Sequence, residues 1–434
     1  MIPSSLPQTH TPSSEIQQPS QKFKVQKPEA TNLPAKDIQV GKKADKKARR
    51  AAKIQADGKQ ADRAVTEPLN KQATAKITEQ SSRKTPAQIK IVPETIVENK
   101  TISLFHHLES NRRVNTTVGI KDVHPSIIQL AVRFSKHVIL GSTNRCVAML
   151  HAFKQVIADY QTPSGTTLTR HLTTYINTQI NFLVSARPLS VSMGNSIRWL
   201  KVEISVLSID LNDDKAKEGL IEKIVYFVHE RITMAYSLID SRMTEKLSHH
   251  DVILVFGYSS LLSRLLISAH KNVAFRIVVV DSRPWFTGKT FVRELSDCGI
   301  ESSYCLISGI GYVMKDVTKV LLGAHAMLSN GGLYSTVGTA LIAMTAKDFD
   351  IPVIVCCESL KFSHRIQLDS FVFNELGCPE AVAAETDWRD VKGLKMLNLL
   401  YDVTPSSLIS MVVTEQGCLP PSSVPALMRE CKLE

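Results

Sequence analysis

The feature that most constrains the fold is an alternation of short apolar runs with helical patterns, beginning at Asp251. Five runs rich in apolar and β-branched residues stand at 251–257 (DVILVFG), 275–281 (FRIVVVD), 303–308 (SYCLIS), 324–329 (AHAMLS) and 351–357 (IPVIVCC). Continuous apolar strands that alternate with helices are typical of a parallel sheet covered on both faces. With a last strand near 399–403 and a helix from Pro405, they predict an α/β domain over residues 249–434.

Within this domain, one stretch has the succession of strand, turn and helix that forms ligand pockets in parallel-sheet folds. In residues 323–347, GAHAMLSNGGLYSTVGTALIAMTAK, an apolar run and a glycine-rich turn precede a helical pattern that opens on Gly338 and Thr339. Parallel-sheet folds bind anionic groups at such helix N-termini, beyond the carboxyl ends of the strands. By the same rule, residues 257–260, 281–284 and 308–311 are further candidate positions.

Several motifs near these positions have plainer structural explanations. Gly288-Lys289-Thr290 resembles the end of a P-loop, but Arg283 stands where the earlier glycine is required. The pair Gly309 and Gly311 lacks the third glycine of a dinucleotide fingerprint and indicates a tight turn. Cys356-Cys357 has no adjacent histidine, which favours buried thiols over a nucleophile. His325 lies in an apolar run, which favours a core or interface histidine.

The region before this domain, residues 101–248, has the pattern of helices. Apolar residues recur at helical spacing between Ile127 and Val138, and again between Val147 and Ile157. Further helical segments are predicted at 168–184, after Arg187-Pro188, and at 220–238. We therefore predict a helical domain of five or six helices over residues 101–248.

The first 100 residues differ from the rest in composition and charge. They are rich in Pro, Ser, Gln, Thr and Lys, with Phe23 as the one aromatic residue, and hold 19 Lys and Arg against 10 Asp and Glu. The remainder holds 33 basic and 31 acidic residues, so a basic nucleic-acid-binding body is not indicated. We predict a disordered basic tail that stays solvated or makes weak contact with RNA, the ribosome or an acidic protein.

The cysteine spacing and the search for targeting signals indicate the cellular compartment. The eight cysteines form no C-x-x-C pair and have no histidine at zinc-ligand spacing, so buried thiols in a reducing compartment are expected, with no metal or cofactor. The N-terminus lacks the pattern of a signal peptide, and no run of about 18 apolar residues occurs. A cytosolic protein without membrane contact is predicted.

Long segments carry a resemblance to a known family. They include GSTNRCVAML at 141–150, RPLSVSMGNSIRWLK at 187–201, DVILVFGYSSLLSRLL at 251–266, RIVVVDSRPW at 276–285, KVLLGAHAMLSNGGLYSTVGTA at 319–340, PVIVCCESLKFSHRIQLDSFVFNEL at 352–376 and YDVTPSSLISMVVTEQGCLPPSSVP at 401–425. Together they are similar to the alpha, beta and delta regulatory subunits of eukaryotic translation initiation factor 2B. The basic N-terminal extension fits the delta type best.

The resemblance implies a Rossmann-like C-terminal domain and a regulatory role without catalysis. In this family, alpha, beta and delta form the regulatory core, while epsilon, assisted by gamma, carries GDP-for-GTP exchange on initiation factor 2. A delta-type chain is expected to help bind factor 2 and to sense phosphorylation of its alpha subunit, which inhibits exchange in the stress response. Phosphorylation adds about two negative charges, so charge or altered docking would carry the signal.

The wider superfamily contains sugar-phosphate isomerases such as methylthioribose-1-phosphate isomerase, whose catalytic cysteine and aspartate this chain lacks. The resemblance places Gly257 at the cysteine position, His325 and Gly332 at aspartate positions, and Thr336 at a lysine position. A proton cannot be moved between sugar carbons without an acid or base in reach. The predicted degenerate pocket comprises Arg187, Gly257, Tyr258, Ser259, His325, Asn330, Gly331, Gly332, Thr336, Gly338 and Thr339.

Two alternatives from other classes are weighed against the regulatory subunit, an active sugar-phosphate isomerase and a stand-alone RNA-binding protein. The missing catalytic residues disfavour the first, and the near-neutral body disfavours the second. Four apolar or aromatic residues are candidates for a subunit interface, although burial in the chain's own core is equally compatible with their spacing: Leu333, Tyr334, Val337 and Leu341.

Overall fold

A computed structural model describes residues 102–108, 122–208, 211–383, 388 and 391–430. The described residues all lie within one compact unit. The predicted basic tail over residues 1–100 lies outside the described residues, as does Cys431.

The first half of the described chain is helical, as predicted. His124 caps the first helix, because its side chain accepts a hydrogen bond from the Ser126 amide while Pro125 occupies the first helical position. The six α-helices described in this half are α1 (Pro125–Ser135), α2 (Ser142–Asp159), α3 (Leu168–Ala186), α4 (Val191–Ser205), α5 (Asp213–Val228) and α6 (Ala235–Thr244). The π-helical turn His229–Met234 joins the last two.

Strands and helices alternate in the second half. The strands are β1 (Val252–Phe256), β2 (Arg276–Asp281), β3 (Ser302–Leu306), β4 (Lys319–Gly323), β5 (Ala326–Leu328), β6 (Leu333–Thr336), β7 (Val353–Cys356), β8 (Phe362–Ser363), β9 (Tyr401–Thr404), β10 (Met411–Val413) and β11 (Cys418–Leu419). The helices are α7 (Ser260–Ala269), α8 (Gly288–Asp297), α9 (Ile310–Val313), α10 (Thr339–Asp348) and α11 (Val424–Glu430).

Seven strands form the main sheet, in the order β11-β10-β7-β4-β1-β2-β3. All neighbours are parallel except β10 and β11. In the interior strand β1, Ile253 and Val255 pack into one apolar cluster, and Val252 and Leu254 into another on the opposite face. Burial on both faces explains the unbroken apolar run of this strand, and the predicted parallel sheet is confirmed.

Three predictions for this half need correction. The run 324–329 does contain β5, but β5 belongs to a second sheet of four strands in the order β8-β5-β6-β9, and so does the predicted last strand, β9. The main-sheet strand at this point is β4, which the sequence prediction missed because only two residues separate it from β5. The helix predicted from Pro405 is wrong, since a short 3₁₀ turn is followed there by β10.

The helical half and the main sheet share one apolar core. Phe134 and Leu183 from the helices belong to the same cluster as Ile253 and Phe291 from the α/β half. The Asn195 side chain also donates hydrogen bonds to the carbonyl oxygens of Leu360 and Phe362, at 2.7 and 3.0 Å. The boundary between two domains at residues 248 and 249 therefore stays a prediction.

A short segment before the helices packs against residues 371–376 of the α/β half. Phe105 and Leu108 are buried with Leu376 in a small apolar cluster, separate from the two larger ones. The Phe105 ring stacks on Phe371 at 5.6 Å between centroids, and the His107 side chain is hydrogen-bonded to the Phe371 carbonyl oxygen at 2.9 Å. We call residues 102–108 the strap.

Replacing the buried ring of the strap tests its contribution to stability. We expect Phe105→Ala to lower the free energy of unfolding by about 1–3 kcal/mol, because the ring loses its apolar environment in a small peripheral cluster. The neighbouring Leu104 is exposed, so Leu104→Ala is the matched control and should change stability by less than about 0.5 kcal/mol. Equal values for the two variants in urea denaturation would contradict a packed strap.

Candidate functional site

A cavity of about 300 Å³ lies beyond the carboxyl ends of β1 and β4. Four helices begin at its wall, since residues from the first turns of α2, α7, α8 and α10 line it, including Thr143, Ser260, Thr290 and Thr339. Helix N-termini carry partial positive charge and free amide groups, so this arrangement suits an anionic or hydroxyl-rich ligand. The cavity lies where the sequence places a pocket in a parallel-sheet fold.

The N-terminus of α10 is already occupied by a carboxylate of the chain itself. Gly338, in the left-handed conformation with φ 106°, ends the turn before the helix, as the sequence predicted. The amide groups of Gly338 and Ala340 donate hydrogen bonds to Asp402 Oδ2, at 2.7 and 3.0 Å. Asp402 therefore stands where a ligand anion was predicted.

The ionisation of Asp402 reflects two opposed effects. Burial disfavours its charged form and raises its pKa to about 6, while the hydrogen bonds from Ala340 and Gly338 lower the pKa in part. Sequence reasoning did not select Asp402, because it lies 62 residues beyond Ala340 in the chain and only the fold brings the two together.

A second internal ion pair lies at the cavity wall. Lys361 lines the cavity, is buried, and lies 2.8 Å from Glu358. Thr143 donates a hydrogen bond of 3.1 Å to the same carboxylate. Burial alone would lower the pKa of Lys361, but the Glu358 carboxylate raises it above its usual value. Lys361 is therefore charged and already neutralised.

His325 lines the cavity beside an aromatic and charged cluster. Its ring lies 4.3 Å from the Tyr401 ring, and Arg187 donates a hydrogen bond of 3.2 Å to the Tyr401 hydroxyl. Burial, with the charges of Arg145 and Arg187, keeps the pKa of His325 well below its usual value, so the imidazole is neutral near pH 7. Sequence reasoning missed Arg145, which is buried and donates to the Pro188 carbonyl oxygen at 2.5 Å.

Apart from Gly338, which caps α10, and Gly257, which directly follows β1, the predicted pocket residues fall into three places. Five of them line the cavity: Tyr258, Ser259, His325, Thr336 and Thr339. Arg187 lies behind it in a buried ion pair with Glu375. Asn330, Gly331 and Gly332 do not line the cavity, because they form the turn between β5 and β6.

Contacts of that turn are with other parts of the chain. The Asn330 side chain donates to the Gln367 carbonyl oxygen at 2.9 Å and accepts from the Gly332 amide at 3.2 Å. Gly331 has φ 75°, and an added Cβ would lie 2.6 Å from the Pro421 carbonyl oxygen. A side chain at Gly331 therefore strains the backbone and collides with Pro421.

Gly257 occupies a position that resists a side chain. Its φ is 59°, in the left-handed region, and an added Cβ would lie 3.0 Å from Thr287 Oγ1. The same hydroxyl accepts a hydrogen bond from the Tyr258 amide at 3.2 Å. A cysteine at Gly257 would therefore need this local structure to shift.

The candidate interface residues separate by burial. Leu333 is fully buried in the chain's own core, while Tyr334 and Val337 are half-buried and Leu341 is exposed on α10. In the described part of the chain, no group of three or more His, Cys, Asp or Glu side chains is placed to hold a metal ion. None of the described helices is both long and apolar enough to span a membrane.

With this geometry established, comparison with known proteins gives the family. A model of the initiation factor 2 subunit family matches residues 138–421. The chain belongs to the initiation factor 2 subunit family. It is 46% identical over 436 residues to the translation initiation factor eIF2B subunit delta of Schizosaccharomyces pombe, across 95% of this chain and 93% of the relative. The predicted resemblance to the delta type is confirmed.

A solved structure and a family of enzymes extend the comparison. A chain in the crystal structure of the tetrameric eIF2B-beta2-delta2 complex from C. thermophilum matches with a TM-score of 0.66 and 31% identity, covering 74% of this chain and 99% of that one. The ribose 1,5-bisphosphate isomerase of Methanocaldococcus jannaschii is 29% identical over 242 residues, across 56% of this chain and 75% of the enzyme. The initiation factor 2 subunit family is thus related to sugar-phosphate isomerases.

The internal carboxylate at α10 gives a prediction for pH. Because the folded-state pKa of Asp402, about 6, lies above the ordinary value near 4, the folded protein binds this proton more tightly than the unfolded chain. This stabilising contribution is present below about pH 4 and is lost as the pH rises through about 6. The free energy of unfolding of the neutral Asp402→Asn variant, relative to that of the wild type, should therefore rise by about 3 kcal/mol between pH 4 and pH 7.

Urea denaturation at several pH values between 4 and 7 measures this difference for the two proteins. Groups common to both proteins cancel when the variant is compared with the wild type at each pH. Stability curves that stay parallel over this range would show that Asp402 titrates at its ordinary pKa.

Proposed function

We propose that this chain is a non-catalytic regulatory subunit of the initiation factor 2B complex, which promotes GDP-for-GTP exchange on initiation factor 2. The observation that carries the proposal is the 46% identity to an eIF2B delta subunit along nearly the whole of both chains. Similarity to a chain of a beta2-delta2 tetramer supports a role within an assembly.

The chemistry of the cavity supports a degenerate isomerase site. Among its lining residues there is no carboxylate and no thiol. Its two ionisable nitrogen groups are a neutral His325 and a charged, already paired Lys361, and neither is poised to exchange a proton near pH 7. Gly257 and Gly332 offer no reactive side chain at the positions where related enzymes carry theirs.

The partners follow from membership of the regulatory core. We propose contacts with the alpha, beta, gamma and epsilon subunits of initiation factor 2B and with initiation factor 2, whose phosphorylated alpha subunit the chain helps to sense. The place of action is the cytosol, and the basic tail makes at most weak contact with RNA or the ribosome. Leu341, exposed on α10, is the candidate interface residue most accessible to a partner.

The regulatory role can be tested by nucleotide exchange. We expect the five-subunit complex to release GDP from factor 2 at a rate that falls when the alpha subunit of factor 2 is phosphorylated. In a complex assembled without this chain, phosphorylation of factor 2 should no longer slow GDP release. The factor by which phosphorylation slows release should therefore fall by about 5- to 150-fold, which corresponds to the range of typical coupling energies. Equal inhibition with and without the chain would refute a sensing role.

The enzyme alternative has its own measurement. The 29% identity to a ribose 1,5-bisphosphate isomerase is the observation in its favour. We expect the purified chain to show no isomerisation of ribose 1,5-bisphosphate or methylthioribose-1-phosphate, and native mass spectrometry of the endogenous protein to find it in a multi-subunit assembly. Turnover of either sugar phosphate, or a protein found alone, would favour the alternative.

A further inference from the structure

Two of the four helices that begin at the cavity wall have an internal carboxylate at their first turn. Asp402 accepts hydrogen bonds from the amide groups that open α10. In the first turn of α2, the Thr143 hydroxyl donates to Glu358, whose carboxylate is also paired with Lys361. A ligand anion at either helix N-terminus would therefore meet a carboxylate that already lies there.

The other two helix starts are also satisfied within the chain. Ser259 Oγ accepts from the Leu262 amide at 3.5 Å and so caps α7. At the start of α8, an added Cβ on Gly288 would lie 2.8 Å from Asp281 Oδ2, so this buried carboxylate lies close to the first turn of the helix. The four helix N-termini that suggest an anion site are thus each supplied with a hydroxyl or a carboxylate of the protein.

The charges in and behind the cavity wall balance as well. Asp402 is mostly ionised at pH 7.5, because its pKa is about 6, and the His325 ring is neutral. Three cations are therefore matched in number by three carboxylates: Arg145, Arg187 and Lys361 by Glu358, Glu375 and Asp402. A phosphate group in the cavity would add a poorly solvated charge without a counter-ion, which is strongly disfavoured.

Hydroxyl groups are the main polar groups left to contact a ligand. They include Thr287 and Thr290, at the start of α8, and Thr336, at the end of β6. A hydroxyl can both donate and accept, so Thr287, which accepts from the Tyr258 amide at 3.2 Å, can still donate its own hydrogen. Such groups are complementary to the hydroxyls of a neutral ligand.

Aromatic rings form the apolar part of the wall. Phe256, Trp285 and Phe286 line the cavity and are half-buried, and the Trp285 ring packs on His137 at 4.9 Å between centroids. The C–H groups of a sugar ring are apolar and can pack on such rings while its hydroxyls form hydrogen bonds. A volume of about 300 Å³ is at the lower end for small-molecule sites, which limits the ligand to about the size of a monosaccharide.

We propose that the cavity binds a neutral, hydroxyl-rich ligand of the class of an unphosphorylated monosaccharide, and that it excludes the phosphate esters of such sugars. Thr287, Thr290 and Thr336 supply hydrogen bonds, and Trp285 supplies an apolar wall. This inference goes beyond the proposed function and does not depend on it, because binding in the cavity requires no other subunit. The ligand is bound without any bond being formed or broken.

The test is saturation-transfer NMR of the full-length chain at pH 7.5 with D-ribose and D-ribose 5-phosphate, which differ only in the phosphate group. We expect saturable binding of D-ribose and at least about tenfold weaker binding of the phosphate ester, because the ester brings an unmatched charge. D-Glucose and D-sorbitol extend the neutral series. Equal or tighter binding of D-ribose 5-phosphate, or no saturable binding of any neutral probe, would overturn the inference.

A matched pair of variants locates the ligand. Thr290 is exposed at the cavity wall, and Thr174 is exposed on α3 outside the cavity lining. Thr290→Val should raise Kd for D-ribose by about three- to tenfold, the effect of losing one hydrogen bond, while Thr174→Val should leave it unchanged. The indole resonance of Trp285 should shift on addition of D-ribose, and that of Trp199, stacked on Phe227, should not. Equal Kd values for the two variants, or an unmoved Trp285 resonance, would overturn the cavity as the site.

Asp402→Asn tests why phosphate is excluded. The Asn side chain still offers an oxygen to the amide groups of α10, but one negative charge is lost. The ratio of Kd for D-ribose 5-phosphate to Kd for D-ribose should therefore fall by about tenfold. An unchanged ratio would overturn charge balance as the cause of exclusion. None of these outcomes bears on the proposed function, which is tested by nucleotide exchange in the assembled complex.

Discussion

The buried ion pair between Arg187 and Glu375 is the contact on which the arrangement of the two halves depends. Arg187 follows helix α3, and Glu375 lies in the segment between β8 and β9, so one contact joins the helical half to the α/β half. Arg187 also reaches the Tyr401 hydroxyl on β9. Two desolvated charges add little net stability but strongly penalise any arrangement that separates them. The pair therefore fixes where this segment and β9 lie relative to the helices.

The cavity keeps the architecture of an anion site while the chain satisfies that architecture with its own groups. Asp402 accepts hydrogen bonds from the amide groups at the start of α10, and the Glu358 carboxylate neutralises the Lys361 ammonium. The positive ends of helices that favour a phosphate also favour an internal carboxylate, which costs no entropy of association. The start of α10 and the Lys361 ammonium are thus both already paired with carboxylates of the chain itself.

The sequence predicts those parts of the fold that local pattern determines. Strands β1 and β2 follow from unbroken apolar runs, the helices from apolar spacing, and α10 from Gly338 before its first residue. It does not separate β4 from β5, since LLGAHAML reads as one apolar run although its halves enter different sheets. Asp402 and Arg145 were missed because their partners, Ala340 and Pro188, lie far away in sequence, and only tertiary structure brings them together.

The stretch 323–347 connects the cavity with the segment between β8 and β9. His325 near its start and Thr336 and Thr339 near its middle line the cavity, while Asn330 between them donates a hydrogen bond to the Gln367 carbonyl oxygen. The short strands β5 and β6 pair antiparallel and connect this turn to the residues at the cavity wall. The turn therefore supports a neighbouring loop through Asn330, while residues on either side of the turn line the cavity.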